Sequence, residues 1–142
     1  MERARKTVQM FRIALLVSIA LYVYIGEVYS GERGGQSMAP DPNRNLYFLL
    51  TLVALTTVGM IFAVRRLFVL PSETKLAAEP EDAAALNRWR SGYITTYALS
   101  EVLALFGLVL RILGFNFSQV LPFYVVSFVL MLLFAPRSLS VR

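Results

Sequence analysis

Apolar runs long enough to cross a lipid bilayer take up most of this 142-residue sequence. Hydrophobic residues make up 57% of the chain and charged residues 16%, whereas a soluble domain has about 25% charged residues. Four runs approach the ~20 residues that a membrane-spanning helix needs, at residues 10–29, 46–67, 92–113 and 117–135. The sequence therefore predicts an all-α integral membrane protein, a single domain of four transmembrane helices.

The first run has a second interpretation. Basic residues precede an uncharged stretch at residues 13–26, and Val28, Tyr29 and Ser30 follow it, which is also the pattern of a cleavable signal peptide. We expect the segment to be retained as a helix.

The connections between the runs differ in kind. Residues 30–45 are rich in Gly, Pro and Ser and predict a flexible external loop, whereas residues 114–116 predict a tight turn. Residues 72–91 are polar and predict a cytoplasmic loop that includes the start of a helix, because Pro80 is followed by two acidic residues. We expect one helix over residues 80–113, which extends the third span into the cytoplasm.

Lysine and arginine residues predict the orientation, because cytoplasmic segments carry an excess of them. With four spans, eleven of the fourteen fall on one side: Arg3, Arg5, Lys6, Arg12, Arg65, Arg66, Lys75, Arg88, Arg90, Arg137 and Arg142. The other three, Arg33, Arg44 and Arg111, fall on the opposite side. Both termini are therefore predicted to be cytoplasmic, and we expect a bacterial inner membrane.

Composition argues against several classes of function. The sequence has neither cysteine nor histidine, which excludes disulfides, Cys/His metal sites, haem ligation by histidine and most nucleophile–base pairs. We therefore expect no enzyme activity, no cofactor and no metal. The net charge of +5 does not predict nucleic-acid binding, because the basic residues cluster at the ends of apolar runs.

Glu101 is the one charge inside the apolar stretch of residues 91–110. Arg90 lies 11 positions earlier, roughly 16 Å along a helix and about half the thickness of the hydrocarbon core. An ionised carboxylate at that depth costs about 2.5 kcal/mol or more, so it must be paired, hydrated or protonated. Glu101 is therefore the candidate ion-binding residue.

The stretch around Glu101 resembles the second helix of subunit c, the rotor-ring proteolipid of F-type ATP synthases. Pro80 and Glu81 match that family's polar loop, Arg90 matches its helix-opening arginine, and residues 98–109 (ALSEVLALFGLV) match its carboxylate motif. The resemblance implies that Glu101 binds and releases a proton or a sodium ion. The chain departs from the family in having only Gly59 within residues 46–67, where the family has a glycine run, and in having two additional helices.

Hydroxyl groups are the expected partners of Glu101. The candidates are Tyr97, Ser100, Thr56, Thr57, Tyr124 and Ser127. The sequence does not choose among them, and Thr51, Thr56 and Thr57 are expected to bond back to their own helix. Ser100, Ala104 and Gly107 recur at helical spacing and predict a stripe that packs closely on another helix, within the bundle or in another subunit.

Residues near the ends of the spans are predicted to anchor the helices at the membrane surface: Arg65, Arg66, Arg88, Trp89, Arg90 and Arg111. Arg111 is ten residues beyond Glu101, ~15 Å along the helix, and cannot pair with it. Glu27, at the outer end of the first span, is a candidate partner of Arg111.

Two functions are consistent with these features. The first is a structural or accessory subunit of a larger membrane complex, whose partners would be the bilayer and other membrane subunits or copies of itself. The alternative is a proton- or sodium-binding transport protein that uses Glu101 as its intramembrane carboxyl, similar to an ATP synthase c subunit.

Overall fold

The computed structural model describes residues 2–32 and 44–135, nearly all of them helical. The elements are α1 (Glu2–Glu32), α2 (Arg44–Val64), a π-helical turn (Arg65–Val69), α3 (Leu70–Ala78), α4 (Ala83–Ile112) and α5 (Phe117–Leu133). No strand occurs in the described ranges, which confirms the all-α class. Most of the predicted external loop, together with Arg137 and Arg142, lies outside these ranges.

Three helical segments are long and apolar enough to cross a membrane: Lys6–Tyr29, Arg44–Ala78 and Ala83–Ile112. The fourth predicted span corresponds to α5, which is apolar but has only 17 residues. At 1.5 Å per residue this helix is about 25 Å long, slightly short of a ~30 Å hydrocarbon core.

α4 is the central helix, because α1, α2, α3 and α5 all pack against it. Its buried side is lined by large and small residues in alternation, from Trp89 and Tyr93 at one end to Leu110 at the other. α2 lies at the periphery, with Phe48, Leu52 and other apolar side chains exposed along it. Exposed apolar side chains are expected wherever a helix faces lipid.

The second helical segment is longer than predicted. It does not end near residue 67 but continues through the π-helical turn and α3 to Ala78. Pro71 explains the turn: it has no N–H to donate, and an i→i−5 pattern, in which the Leu70 amide donates to the Arg65 carbonyl, accommodates its ring without ending the helix. The polar connection is therefore reduced to the short stretch between Ala78 and Ala83.

α4 begins three residues later than predicted, at Ala83, and then continues without a break to Ile112. Asp82 is its N-cap, since Asp82 Oδ1 accepts hydrogen bonds from the amides of Ala84 (2.9 Å) and Ala85 (3.0 Å). Pro80 lies in the preceding turn and not at the first helical position. Asp82 is therefore the cap that precedes the helix, and not an acidic residue within its first turn as the predicted start at Pro80 implies.

The connection between α4 and α5 is a tight turn. Gly114 has a φ of 95°, a left-handed conformation that glycine adopts without steric cost. α5 then begins at Phe117, and the Gln119 side chain accepts a hydrogen bond of 3.0 Å from the Asn116 amide. The turn makes α4 and α5 an antiparallel hairpin.

Candidate functional site around Glu101

Glu101 lies on the side of α4 that faces α1. The Tyr22 hydroxyl donates a hydrogen bond of 2.7 Å to Glu101 Oε1. That distance is at the upper end of the range of about 2.5–2.7 Å typical of a hydroxyl bonded to a carboxylate. Glu101 is only partly buried, and within the described residues its second oxygen, Oε2, accepts no hydrogen bond.

The partner of Glu101 is therefore a residue outside the predicted set of six. Two members of that set, Thr56 and Thr57, donate to the carbonyl oxygen four residues earlier on their own helix, at 2.9 and 2.8 Å. Thr51 makes the same kind of bond at 2.8 Å. The prediction that these threonines bond back to their own helix is confirmed, and it removes them as donors to Glu101.

Three other predicted partners connect α4 and α5. The Ser127 hydroxyl donates to the Ser100 carbonyl oxygen at 2.5 Å, and the Tyr97 hydroxyl donates to the Phe134 carbonyl oxygen at 2.9 Å. The Ser100 hydroxyl itself donates to Thr96 within α4. These hydrogen bonds join the two arms of the hairpin at two depths. None of them involves the Glu101 side chain, which is bonded to α1.

The stripe of Ser100, Ala104 and Gly107 is buried against α5. A Cβ atom placed on Gly107 would lie 3.1 Å from the Tyr124 ring and 3.3 Å from the Phe123 Cβ, so the two backbones approach closely there. The remaining predicted partner of Glu101, Tyr124, packs on this glycine. Its hydroxyl is buried and has no hydrogen-bond partner in the part of the chain that the structure describes.

Tyr22 was missed because aromatic residues in a membrane span are usually packing or interface residues. One signal was present. Tyr22 lies well inside the uncharged run of residues 13–26 and not at its end, where an aromatic belt is expected. A tyrosine at depth requires a partner for its hydroxyl, and the one carboxylate at similar depth is Glu101.

A second polar link joins α1 to α4 near their outer ends. Arg111 Nε lies 2.9 Å from Glu27 Oε1, and Arg111 Nη2 lies 3.2 Å from Glu27 Oε2, a bidentate pair. Arg111 Nη1 also donates to the Phe115 carbonyl oxygen at 3.0 Å, which fixes the guanidinium beside the interhelical turn. The predicted pairing of Glu27 with Arg111 is confirmed.

The predicted anchors occupy different environments. Arg66, Arg88 and Arg90 are exposed, and the Arg88 guanidinium lies 5.4 Å from the Phe68 ring centroid. Trp89 is 4% exposed and packs against Tyr93 at 4.8 Å between ring centroids, so it lies inside the bundle and not in an outer aromatic belt. Its position follows from α3, which packs against α4 and covers this end of it.

Arg65 is partly buried, and its guanidinium carbon lies 4.1 Å from the Phe134 ring centroid, a close cation–π contact. Arg12, which the sequence places among the basic residues of the amino terminus, is likewise only partly exposed.

The chemistry available at Glu101 is that of one carboxylate and one phenol. In the described ranges no three His, Cys, Asp or Glu side chains are grouped so that they could hold a metal ion. The Glu101–Tyr22 pair can hold two helices together, or it can bind one proton or one monovalent cation at the unengaged oxygen.

The chain matches no protein-family model, no curated protein and no solved structure.

Proposed function

We propose that this protein is a small structural or accessory subunit of a larger membrane complex. In this proposal α5 forms the fourth transmembrane helix, both termini are cytoplasmic and the membrane is a bacterial inner membrane. The observation that carries the proposal is the use of Glu101. Its carboxylate accepts the Tyr22 hydroxyl at 2.7 Å, so the one charge deep in the third span joins α1 to α4.

The other polar groups of α4 support the same function. Arg111 pairs with Glu27 on α1, and the Ser100 carbonyl oxygen accepts a hydrogen bond from Ser127 on α5. Interhelical hydrogen bonds of this kind contribute on average about 0.6 kcal/mol each in a membrane. A bundle fixed at several depths is suited to hold a defined outer surface toward neighbouring subunits.

α2 offers one such surface. Its residue Leu55 is 69% exposed, and Phe48, Leu52 and Phe62 are more than half exposed along the same helix. The test is to place a photo-crosslinking amino acid at Leu55 in the native membrane, with Ile61, which is fully buried, as the matched control position. We expect a discrete crosslinked protein species from position 55 and none from position 61. Crosslinks to lipid alone at position 55 would contradict the proposal.

A second function, proton or sodium-ion transport through Glu101, is favoured by one observation. Glu101 Oε2 accepts no hydrogen bond within the described residues and the side chain is partly exposed, so one oxygen is free for an ion. The resemblance of residues 98–109 to the carboxylate motif of subunit c points the same way. Labelling with a hydrophobic carbodiimide tests this function, since a protonated, accessible carboxyl reacts and one held by Tyr22 in ionised form does not.

The two functions predict different results for Glu101→Gln. An amide keeps the shape of the side chain and can still accept a hydrogen bond, so a subunit with a structural Glu101 would assemble as before. An ion carrier with the same substitution would assemble but would lose ion movement across reconstituted vesicles. If the wild-type protein and the Glu101→Gln variant both assemble and neither moves ions, the structural function is supported.

A further inference from the structure

Two arginines lie where the ends of α2 and α5 pack beside the middle of α4 and the amino-terminal half of α1. Arg12 lies on α1, and Arg65 is the first residue of the π-helical turn. Both positive charges act on the Tyr97 hydroxyl, which donates a hydrogen bond to the Phe134 carbonyl oxygen. The Arg65 guanidinium carbon is 4.1 Å from the Phe134 ring centroid and 5.7 Å from that of Tyr93.

Neither arginine forms a salt bridge with a carboxylate of the described residues. Glu73 and Arg65 share a neighbour, because both contact Tyr93. Glu73 Oε1 accepts the Tyr93 hydroxyl at 2.9 Å. The cluster of Arg12, Arg65 and Tyr97 therefore has an excess of positive charge.

Two guanidinium nitrogens in the cluster are buried without an acceptor. They are Arg12 Nε and Arg65 Nη1. Leaving a buried donor unsatisfied costs about 1–3 kcal/mol, more for a charged group, and native proteins usually supply an acceptor. Both arginines are partly exposed, as a ligand that approaches from outside the bundle requires.

We propose that Arg12 and Arg65 form a binding site for one phosphate ester, the group carried by the headgroup of an anionic phospholipid. Paired guanidinium groups match the geometry of phosphate oxygens, and basic pockets between membrane helices bind anionic headgroups. The location supports a lipid as the source of the phosphate. Arg65 directly follows the apolar helix α2, so the site lies at the level where headgroups meet the hydrocarbon core.

The test compares the full-length protein in nanodiscs of phosphatidylcholine alone with the protein in equal parts of phosphatidylcholine and phosphatidylglycerol. Native mass spectrometry counts the retained lipids, and thermal unfolding measures their effect. We expect the wild-type protein to retain phosphatidylglycerol in preference to phosphatidylcholine and to unfold at a higher temperature in the mixed nanodiscs. Each of Arg12→Gln and Arg65→Gln should weaken phosphatidylglycerol retention about tenfold.

Arg90→Gln is the matched control, because Arg90 is exposed and its replacement removes the same charge. Equal losses in Arg90→Gln and in the two site variants would overturn the proposal, since they would show a response to net charge only. Inorganic phosphate and glycerol phosphate added in detergent form a further arm. Stabilisation by these soluble anions to the same extent as by phosphatidylglycerol would assign the site to a soluble phosphate and overturn the lipid source.

If the site variants do not fold, the wild-type protein alone provides the test. Equal retention of phosphatidylglycerol and phosphatidylcholine from the mixed nanodiscs would overturn a site for an anionic headgroup. Arg12→Lys and Arg65→Lys provide an independent measure. They keep the charge but lose the planar pair of donors, so we expect intermediate retention.

Discussion

Tyr22 and Glu101 are 79 positions apart in the sequence, and their side chains meet in a hydrogen bond of 2.7 Å between α1 and α4. The bond joins two helices that are each long and apolar enough to cross a membrane. It gives the phenol an acceptor and the carboxylate a donor in surroundings that offer little water. Each side chain therefore makes the burial of the other less unfavourable.

The first prediction concerns this pair. Tyr22→Phe removes the hydrogen-bond donor. Glu101→Leu removes the acceptor, so the Tyr22 hydroxyl loses its partner. We expect each to lower the free energy of unfolding by about 0.6–1.7 kcal/mol, with a double variant less destabilised than the sum. Tyr24→Phe is the control, because Tyr24 lies on the same helix and is 67% exposed. Additive effects in the double-mutant cycle would show that the two side chains do not stabilise each other.

The second prediction concerns the outer link between Glu27 and Arg111. Arg111→Lys keeps the charge but loses the bidentate contact, so we expect a loss of up to about 1 kcal/mol, which shrinks as salt is raised. The side chain of Glu27 is 46% exposed, which allows salt to screen the pair. Unfolding by denaturant at low and high salt measures the effect. An unchanged salt dependence in Arg111→Lys would contradict it.

The third prediction uses two glycines in different surroundings. A Cβ on Gly107 would lie 3.1 Å from the Tyr124 ring, whereas a Cβ on Gly59 would meet nothing within 4 Å. Gly107→Ala should therefore destabilise the bundle by about 1–3 kcal/mol. Gly59→Ala should be neutral or slightly stabilising, because alanine is the better helix former. Equal effects of the two substitutions, measured by thermal unfolding, would refute close packing of α4 on α5.

The fourth prediction concerns the start of α4. The amide of Ala85, with that of Ala84 and the charge of Lys75, lowers the pKa of Asp82. The contribution of this cap to stability is thus complete above the ordinary carboxyl pKa and is lost as the pH falls through the lowered value. Hydrogen exchange at the amides of Ala84 and Ala85 should accelerate over that range.

Two variants separate the cap from general effects of acid. Asp82→Asn can still accept from the helix amides but does not titrate, so exchange at Ala84 should lose its dependence on the cap's protonation. Glu81→Ala, a change at the exposed neighbouring residue, should leave the wild-type pH profile in place. A wild-type profile in Asp82→Asn would show that another group controls the start of α4.

The fifth prediction concerns topology. The distribution of lysine and arginine predicts that both termini are on the cytoplasmic side, which would require α5 to cross the membrane. Reporter domains fused before Met1 and after Arg142 should both be active on the cytoplasmic side. Opposite sides for the two reporters would mean that three helices span the bilayer and that α5 does not.

The sequence by itself determined the helices and much of their ends. Apolar runs of nearly constant length require helices in lipid, because only a helix satisfies its own backbone there. Gly114 and Asn116 determined the turn before α5 through local conformation. The passage of the second helix beyond Pro71 was not evident, because a π-helical turn depends on whether packing against α4 supports the irregular backbone.

The tertiary structure decided which side chains meet. The helices are apolar on nearly all sides, so no polar stripe indicates how each one is rotated about its axis. From the sequence, several hydroxyls were therefore equally possible partners of Glu101. The rotation and depth of α1 against α4 selected Tyr22. The pairing of Glu27 with Arg111 could be predicted from the sequence, because both charges lie at the outer ends of their spans and few other charged residues lie there. The charges of Arg12 and Arg65 act on the same tyrosine, Tyr97, because the ends of α2 and α5 pack beside the middle of α4, an arrangement that no local pattern specifies.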